Sequence, residues 1–311
     1  MNGIARPIRA ARLAEAPVLA QARRISVVMV VYMTGQALQE SLAHVLAEPL
    51  VGELVVVDNG SSPREAAWLA DLATRHGDRV TLLSGHGNIG FASGANLGAR
   101  HARGELLLFL NPDAFLQPGC VAALAREVDA RPSPCLVGGR VLNADRTEQR
   151  GARRGEITPL SALISISGLA RTIPGWRRYE VHWEGEVLPD QAVEAPTISG
   201  ACFCMRRSDF AAIGGFDQKY FLHVEDIDLC WRVRRAGGTV LFHPSAEVVH
   251  LGQTSLANPV KVEFHKGVGL ARYFYKRAEG FGGRLAAGAM APLVISMAVA
   301  RSLIGSRRTT P

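Results

Sequence analysis

Ile25-Ser-Val-Val-Met-Val-Val-Tyr32 decides how this chain folds. Apolar residues occupy both parities of the run, so neither face of the strand they form can be left to water. Continuous β-branched strands of this kind belong to parallel sheets covered on both sides. Working outward, residues 35 to 48 carry apolar side chains at helical spacing, and Glu53-Leu-Val-Val-Val-Asp58 repeats the strand pattern. The turn sequence Asn59-Gly60-Ser61-Ser62-Pro63 closes it. A helix over 64 to 76, a short strand Val80–Leu83, a helix holding 96 to 102 and the strand Glu105–Leu110 follow. Strand and helix alternate throughout, which predicts an α/β protein with a doubly wound, mainly parallel sheet and flanking helices.

Ligands of such sheets lie at the carboxyl ends of the strands. The polar residues stand there: Tyr32-Met33-Thr34 after the first strand, Asp58-Asn59 after the second, Asn111-Pro112-Asp113 after the fourth. One buried strand ending in a polar group is ordinary. Three in one unit make a binding-site pattern.

With 48% hydrophobic and 20% charged residues among 311, the chain can bury a sizeable core. A formal net charge of +7 points to anionic contacts, lipid headgroups or phosphorylated substrates. The arginines are spread over the ends and the middle without a compact footprint, so nucleic acid is not expected. Five cysteines lack a framework or zinc spacing and read as buried free thiols. Residues 1 to 24 form a basic tail with no secretory h-region. The apolar segment Leu285–Ile304 is interrupted by Gly288, Pro292 and Arg301 and falls short of a ~20-residue membrane span. With Arg307 and Arg308 after it, it reads equally as a helix lying on a membrane or one packed on the domain.

Several groups can carry chemistry. Asp113, just past a buried strand, offers hard oxygen ligands to magnesium or manganese, although Asn-Pro-Asp is also a good turn. In Phe221-Leu-His-Val-Glu-Asp-Ile-Asp-Leu-Cys-Trp-Arg232, Val224, Ile227 and Trp231 recur at helical spacing. Asp228 and Arg232 there make a plain i, i+4 pair. Glu225 and Asp226 are adjacent carboxylates whose pKa values can be pushed apart, leaving one suited to take a proton from a hydroxyl. His250 is either structural or an imidazole ligand beside a carboxylate, a pairing that favours manganese over calcium. Gly85-His-Gly-Asn-Ile-Gly-Phe-Ala-Ser-Gly-Ala-Asn96 is a glycine-rich loop entering a helix, suited to phosphate but not the dinucleotide fingerprint.

Taken in order, these pieces resemble glycosyltransferase family 2, in particular its rhamnosyltransferase-like branch. The matching stretches are Ser26–Tyr32, Val56–Ser62, Gly87–Gly98, Leu110–Asp113, Ser199–Ala201, Gly214–Asp217, Phe221–Arg232 and His250–Ser255. The resemblance implies a GT-A fold over residues 25 to 255, with 145 to 195 as a variable insertion on the acceptor side and a C-terminal helical segment from 256 to 311. It implies an inverting, divalent-cation-assisted transfer from a nucleotide sugar, with dTDP-rhamnose the favoured donor. The acceptor would be a glycan precursor hydroxyl, lipid-linked at the cytoplasmic face of the inner membrane. By position, Asp58 would meet the base, and Tyr32, Asn88, Gly90 and Asn96 would lie near the nucleotide or its diphosphate. Asp113 takes the place of the last acidic residue of the family's DXD motif, while Asn111 replaces the first, which makes His250 the second metal ligand. Asp226 would be the catalytic base with Glu225 in support, and Gly200 and Ala201 would line the acceptor side. A polyprenyl-phosphate glycosyltransferase and a non-catalytic nucleotide-sugar-binding scaffold are the alternatives.

Overall fold

The computed structural model describes residues 25–167, 172–173, 175–252 and 258–306. The basic tail, Arg171, Gln253 to Ser255, Arg307 and Arg308 lie outside the described residues. The first strand, β1 (Ile25–Val31), is buried along its whole length inside a nine-stranded sheet. It pairs in parallel with β2 (Val51–Asp58) and β4 (Leu106–Leu110), and β2 pairs in parallel with β3 (Val80–Leu83). Helices α1 (Gln36–Ala47), α2 (Pro63–His76) and α3 (Phe91–His101) make the crossovers.

Strand parity sorts the core into two layers. Val27, Met29 and Val31 pack with Leu38 and Leu42 of α1 and with Leu69 of α2. Val28 and Val30 face the other way, onto Ala92, Ala95 and Ala99 of α3. Both faces are dry, as the unbroken apolar runs require.

The second half mixes strand directions. The short β5 (Ala114–Leu116) and helix α4 (Cys120–Ala130) lead to β6 (Cys135–Leu142). After the insertion, β10 (Cys202–Arg206) enters antiparallel between β4 and β6. An antiparallel neighbour needs no helical crossover, so alternation of strand and helix gave no sign of it. Strand β11 (Thr239–His250) lies parallel to β6 and antiparallel to β5. The strand expected over 239 to 242 therefore runs eight residues further. Its register shifts between His243 and Glu247. Pro244 sits inside that shift, where a missing N–H is tolerated, and the chain then rejoins the sheet and carries His250 to the edge of β5.

Residues 145 to 195 hold β7 (Arg153–Arg154), α5 (Pro159–Ser167) and β8 (Val193–Glu194). A separate ribbon joins β7 to β9 (Thr197–Ile198). Beyond β10 come α6 (Arg207–Ala212), α7 (Glu225–Arg235), α8 (Pro259–Arg277) and α9 (Gly280–Ser306). Helix α9 continues through Gly288 and Pro292, and its Gly280–Ala300 stretch is long and apolar enough to cross a membrane by length and composition. The stretch starts before Leu285 because Gly280, Phe281, Gly282 and Gly283 prolong the helix on its N-terminal side, and the single charge of Arg284 is outweighed by the apolar residues after it. Most of it is exposed, and only Ala287, Val294 and Ala298 are buried. All five cysteines are free and buried.

Candidate active site

Two constellations meet on the three-residue stretch Ser199–Ala201. On one side Gly200 N–H donates to Asp226 Oδ2 at 3.2 Å. On the other, Asn111 N–H donates to the carbonyl of Ala201 at 2.9 Å. The stretch thus ties the first turn of α7 to the loop after β4, and the paired carboxylates to Asp113.

Asp226 is held from three directions. Arg154 Nη2 donates to Oδ2 at 2.7 Å, Gly200 N–H shares that oxygen, and Ile227 N–H donates to Oδ1 at 2.8 Å. Both members of the ion pair are largely buried, at 14% and 15% side-chain exposure, so the contact is not a screened surface bridge. Arg154 also donates to the carbonyl of Ile198, which fixes the guanidinium itself. Its neighbour Glu225 is buried, and its Oε2 finds no hydrogen-bond partner among the described residues. Burial pushes the Glu225 carboxyl well up, and the charge of Asp226 adds to the effect. The two neighbours thus differ in surroundings: Glu225 is buried without a charged partner among the described residues, and Asp226 is paired with Arg154.

The segment before them is strained. His223 and Val224 have φ of 67° and 74°. A left-handed conformation is uncommon for any L-residue and an outlier for a β-branched one. Val224, read as the first apolar residue of the helix, is its left-handed cap. Helix α8 braces this turn, because a Cβ on Gly269 would stand 3.0 Å from Val224 Cγ2 and 3.2 Å from the His223 carbonyl. Its C-terminal half is ionically locked down: Arg272 and Lys276 reach Asp217 at 2.7 and 3.1 Å, and Lys276 reaches Asp228 at 2.7 Å. Asp228 also takes the expected Arg232 pair at 2.6 Å. Desolvation raises the Asp217 carboxyl, but Arg272, the Lys219 N–H and Lys276 outweigh it and hold it at about 2.

At the other end of the stretch, His250 Nε2 lies 3.1 Å from Asp113 Oδ1, with both side chains largely buried. Asn111 Nδ2 stands 3.2 Å from the same nitrogen. Gln149 fixes the ring. Its Nε2 donates to the His250 carbonyl and to Asn143 Oδ1, so its Oε1 faces His250 Nδ1 at 2.8 Å as an acceptor. That network assigns a proton to Nδ1 and turns Nε2 toward Asp113. An imidazolium would donate to Asp113 Oδ1 across that 3.1 Å, and a neutral ring would offer it a lone pair, the arrangement that suits a shared cation. Among the described residues no group of three or more His, Cys, Asp or Glu side chains could hold a metal. A cation at Asp113 and His250 would draw its remaining ligands from substrate and water.

The residues expected near the nucleotide sit in a set of turns. Asp58 Oδ1 accepts from Gly60 N–H and Ser61 N–H, and the Tyr32 ring lies against Gly60. Asn88 Oδ1 accepts from Gly90 N–H, and Asn59 Nδ2 donates to the Gly90 carbonyl. Gly90 has a φ of 81°, and a Cβ there would stand 2.7 Å from the Phe221 carbonyl, so only glycine lets the loop touch the strained turn. Asn96 is spent on structure: it donates to the Phe216 carbonyl and accepts from its N–H, both at 2.8 Å.

Comparison with known proteins decides the assignment. The model of "Glycosyl transferase family 2" matches residues 26–214, more than half of the chain. The chain belongs to glycosyltransferase family 2. It is 28% identical over 241 residues to the N-acetylglucosaminyl-diphospho-decaprenol L-rhamnosyltransferase of Mycobacterium tuberculosis (strain ATCC 25618 / H37Rv), covering 73% of this chain and 75% of that one. It is 24% identical over 213 residues to Rhamnosyltransferase WbbL of Escherichia coli (strain K12), covering 64% and 72%. These relatives put it in the rhamnosyltransferase-like branch. Mannosyltransferase PcManGT from Pyrobaculum calidifontis, in complex with GDP-Man and Mn2+, matches 93% of this chain and 76% of that one, with a TM-score of 0.57 and 17% identity. That likeness is one of fold, the GT-A fold.

Three residues of this glycosyltransferase were not singled out from its sequence. Arg154 stood only as one of several arginines in the insertion, and nothing in its spacing tied it to Asp226, 72 residues away. Gln149 carried no signal at all. Gly269 lies in the middle of a helical run, where a glycine costs stability and so hints at a close approach.

Proposed function

We propose that this glycosyltransferase is an inverting enzyme that moves rhamnose from dTDP-rhamnose to a hydroxyl of a lipid-linked glycan precursor, with Asp226 as base. One observation carries the reading: Ser199–Ala201 holds Asp226 at one end and the Asn111–Asp113 loop at the other. A base and a diphosphate site must flank the anomeric carbon, and this stretch sets that separation. Asp58, through Oδ2, would meet the base of the nucleotide, with Tyr32 beside it, and the Asn88–Gly90 turn would border the diphosphate. Asp113 and His250 would hold manganese or magnesium, which supplies Lewis-acid stabilisation of the leaving diphosphate.

The acceptor hydroxyl gives its proton to Asp226 as its oxygen bonds to the anomeric carbon from the face opposite the diphosphate. The bond from that carbon to the diphosphate oxygen breaks, and configuration inverts. Glu225, kept neutral by burial, would place no second negative charge beside the base. The relatives' names support rhamnose and a diphospho-lipid acceptor. The exposed apolar length of α9 supports a peripheral position on the cytoplasmic face of the inner membrane.

Asp226→Asn tests the assignment. Transfer should fall by roughly 10²–10⁴-fold, while dTDP-rhamnose binding by calorimetry stays unchanged. Full turnover in that variant would remove Asp226 from the role. Retained turnover with an isoprenyl phosphate acceptor alone would favour the polyprenyl-phosphate alternative, whose acceptor has little need of a base.

A further inference from the structure

A cleft of about 640 Å³ opens on the insertion, lined by Trp183 and His182, by the cations Arg177 and Arg178 and by the carboxylates of Glu180, Glu184 and Glu186. Its wall is continuous with the residue that holds the base. Gly155 N–H donates to the Val181 carbonyl at 2.8 Å and Trp183 N–H to the Arg153 carbonyl at 3.3 Å, with Arg154 directly opposite His182. Directly opposed residues of an antiparallel pair stand on one face with Cβ atoms about 5 Å apart. His182 therefore shares a face with Arg154, whose guanidinium ends on Asp226.

The lining divides by chemistry. Trp183 is half-buried and lies against Gly155, where a Cβ would come within 3.3 Å of the indole nitrogen. The ring packs against the core on one side, which fixes it, and lines the cleft with the rest of its surface beside Glu180 and Glu184, which Arg150 holds at 3.7 and 3.6 Å. A fixed indole with flanking carboxylates suits the apolar face and the hydroxyls of a pyranose. Arg177 and Arg178 line the cleft as cations: Arg177, at 84% side-chain exposure, reaches Glu186 at a loose 3.7 Å, and Arg178 lies over the Tyr179 ring. They suit a diphosphate. Next to them in the chain the exposed side chains turn apolar: Ile173, Trp176, Val187 and Leu188, with Val187 90% exposed. Sugar platform, cations and apolar rim are thus gathered in one short segment.

We propose that this cleft is the acceptor subsite and that it takes a polyprenyl-diphosphate-linked sugar: Trp183 under the sugar, Arg177 and Arg178 on the diphosphate, the apolar rim along the prenyl chain. The assignment rests on the lipid-linked acceptor of the proposed function, and it adds where that acceptor sits and which residues select it.

The test is calorimetry on the full chain with two probes, dTDP and farnesyl-diphosphate-linked N-acetylglucosamine. The parent should bind both. Trp183→Ala, and separately Arg177→Gln with Arg178→Gln, should weaken the prenyl-diphosphate sugar by at least about tenfold and leave dTDP affinity and the melting temperature unchanged. Free N-acetylglucosamine and farnesyl diphosphate should each bind more weakly than the joined probe. A parent that binds dTDP but not the prenyl-diphosphate sugar, or variants that bind it like the parent, overturn the subsite and leave the donor site standing. A parent that binds the lipid probe but no nucleoside diphosphate would keep the cleft and sink the transferase reading.

Discussion

Arg154 Nη2 lies 2.7 Å from Asp226 Oδ2, and the same oxygen accepts the Gly200 N–H. A base that must meet a hydroxyl approaching along one line needs its carboxylate fixed, and a buried charge-assisted contact does this better than solvent. The arginine comes from the insertion and the aspartate from the first turn of α7, so in the proposed mechanism the insertion would orient the base.

Arg154→Ala should therefore lower the transfer rate by roughly 10²-fold, the penalty of a misplaced catalytic group, with donor KM unchanged. Arg154→Lys should recover part of the rate, because a point charge restores the attraction without the planar fork. Steady-state kinetics on both variants checks this. Equal loss in Ala and Lys, with a matching drop in melting temperature, would mark Arg154 as structural only.

Glu225 should make stability depend on pH. Burial and the neighbouring Asp226 raise its pKa in the folded state. Above the ordinary carboxylate range the unfolded chain releases this proton while the folded chain keeps it, so stability falls as pH rises until the folded group also ionises. Glu225→Gln removes that loss. Urea unfolding at pH 5 and pH 8 should show a smaller decline in the variant than in the parent, and identical slopes would count against a buried neutral carboxyl.

Gly269→Ala should damage catalysis more than folding. The new methyl would press on Val224 and the His223 carbonyl, which must then move the turn that aims Glu225 and Asp226. Gly90→Ala meets the Phe221 carbonyl instead, at positive φ, and should cost about 1–3 kcal/mol of stability. Thermal unfolding separates the two variants: a small shift with a large kcat loss for Gly269→Ala, a large shift for Gly90→Ala.

Much of this was readable before any coordinates. Buried strands announce themselves because both their faces must be apolar, so β1 to β4 lie within two residues of where the pattern put them. Asp113, Asp226 and His250 were findable as carboxylates and an imidazole at element ends. Arg154, Gln149 and the bulge at Pro244 were not, because each acts through a partner distant in the chain. Periodicity is local, whereas the contacts that orient a site are tertiary. The antiparallel entry of β10 was hidden for the same reason: strand direction is set by neighbours.

The Gln149–His250 contact gives the last prediction. With Nδ1 donating to Gln149, His250 turns Nε2 toward Asp113, so the proposed two-residue cation site would depend on an uncharged amide. Gln149→Leu removes the acceptor and frees the ring to rotate, which should weaken Mn2+ binding by roughly 10–100-fold. Gln149→Glu keeps an acceptor and should hold affinity near the parent's. Electron paramagnetic resonance titration of Mn2+ in the presence of dTDP reads this without turnover. Because the proposed site would draw its remaining ligands from the diphosphate, the effect should vanish when dTDP is omitted and no Mn2+ binds. A Gln149→Leu variant that binds Mn2+ and dTDP as the parent does would show that the amide serves the loop alone.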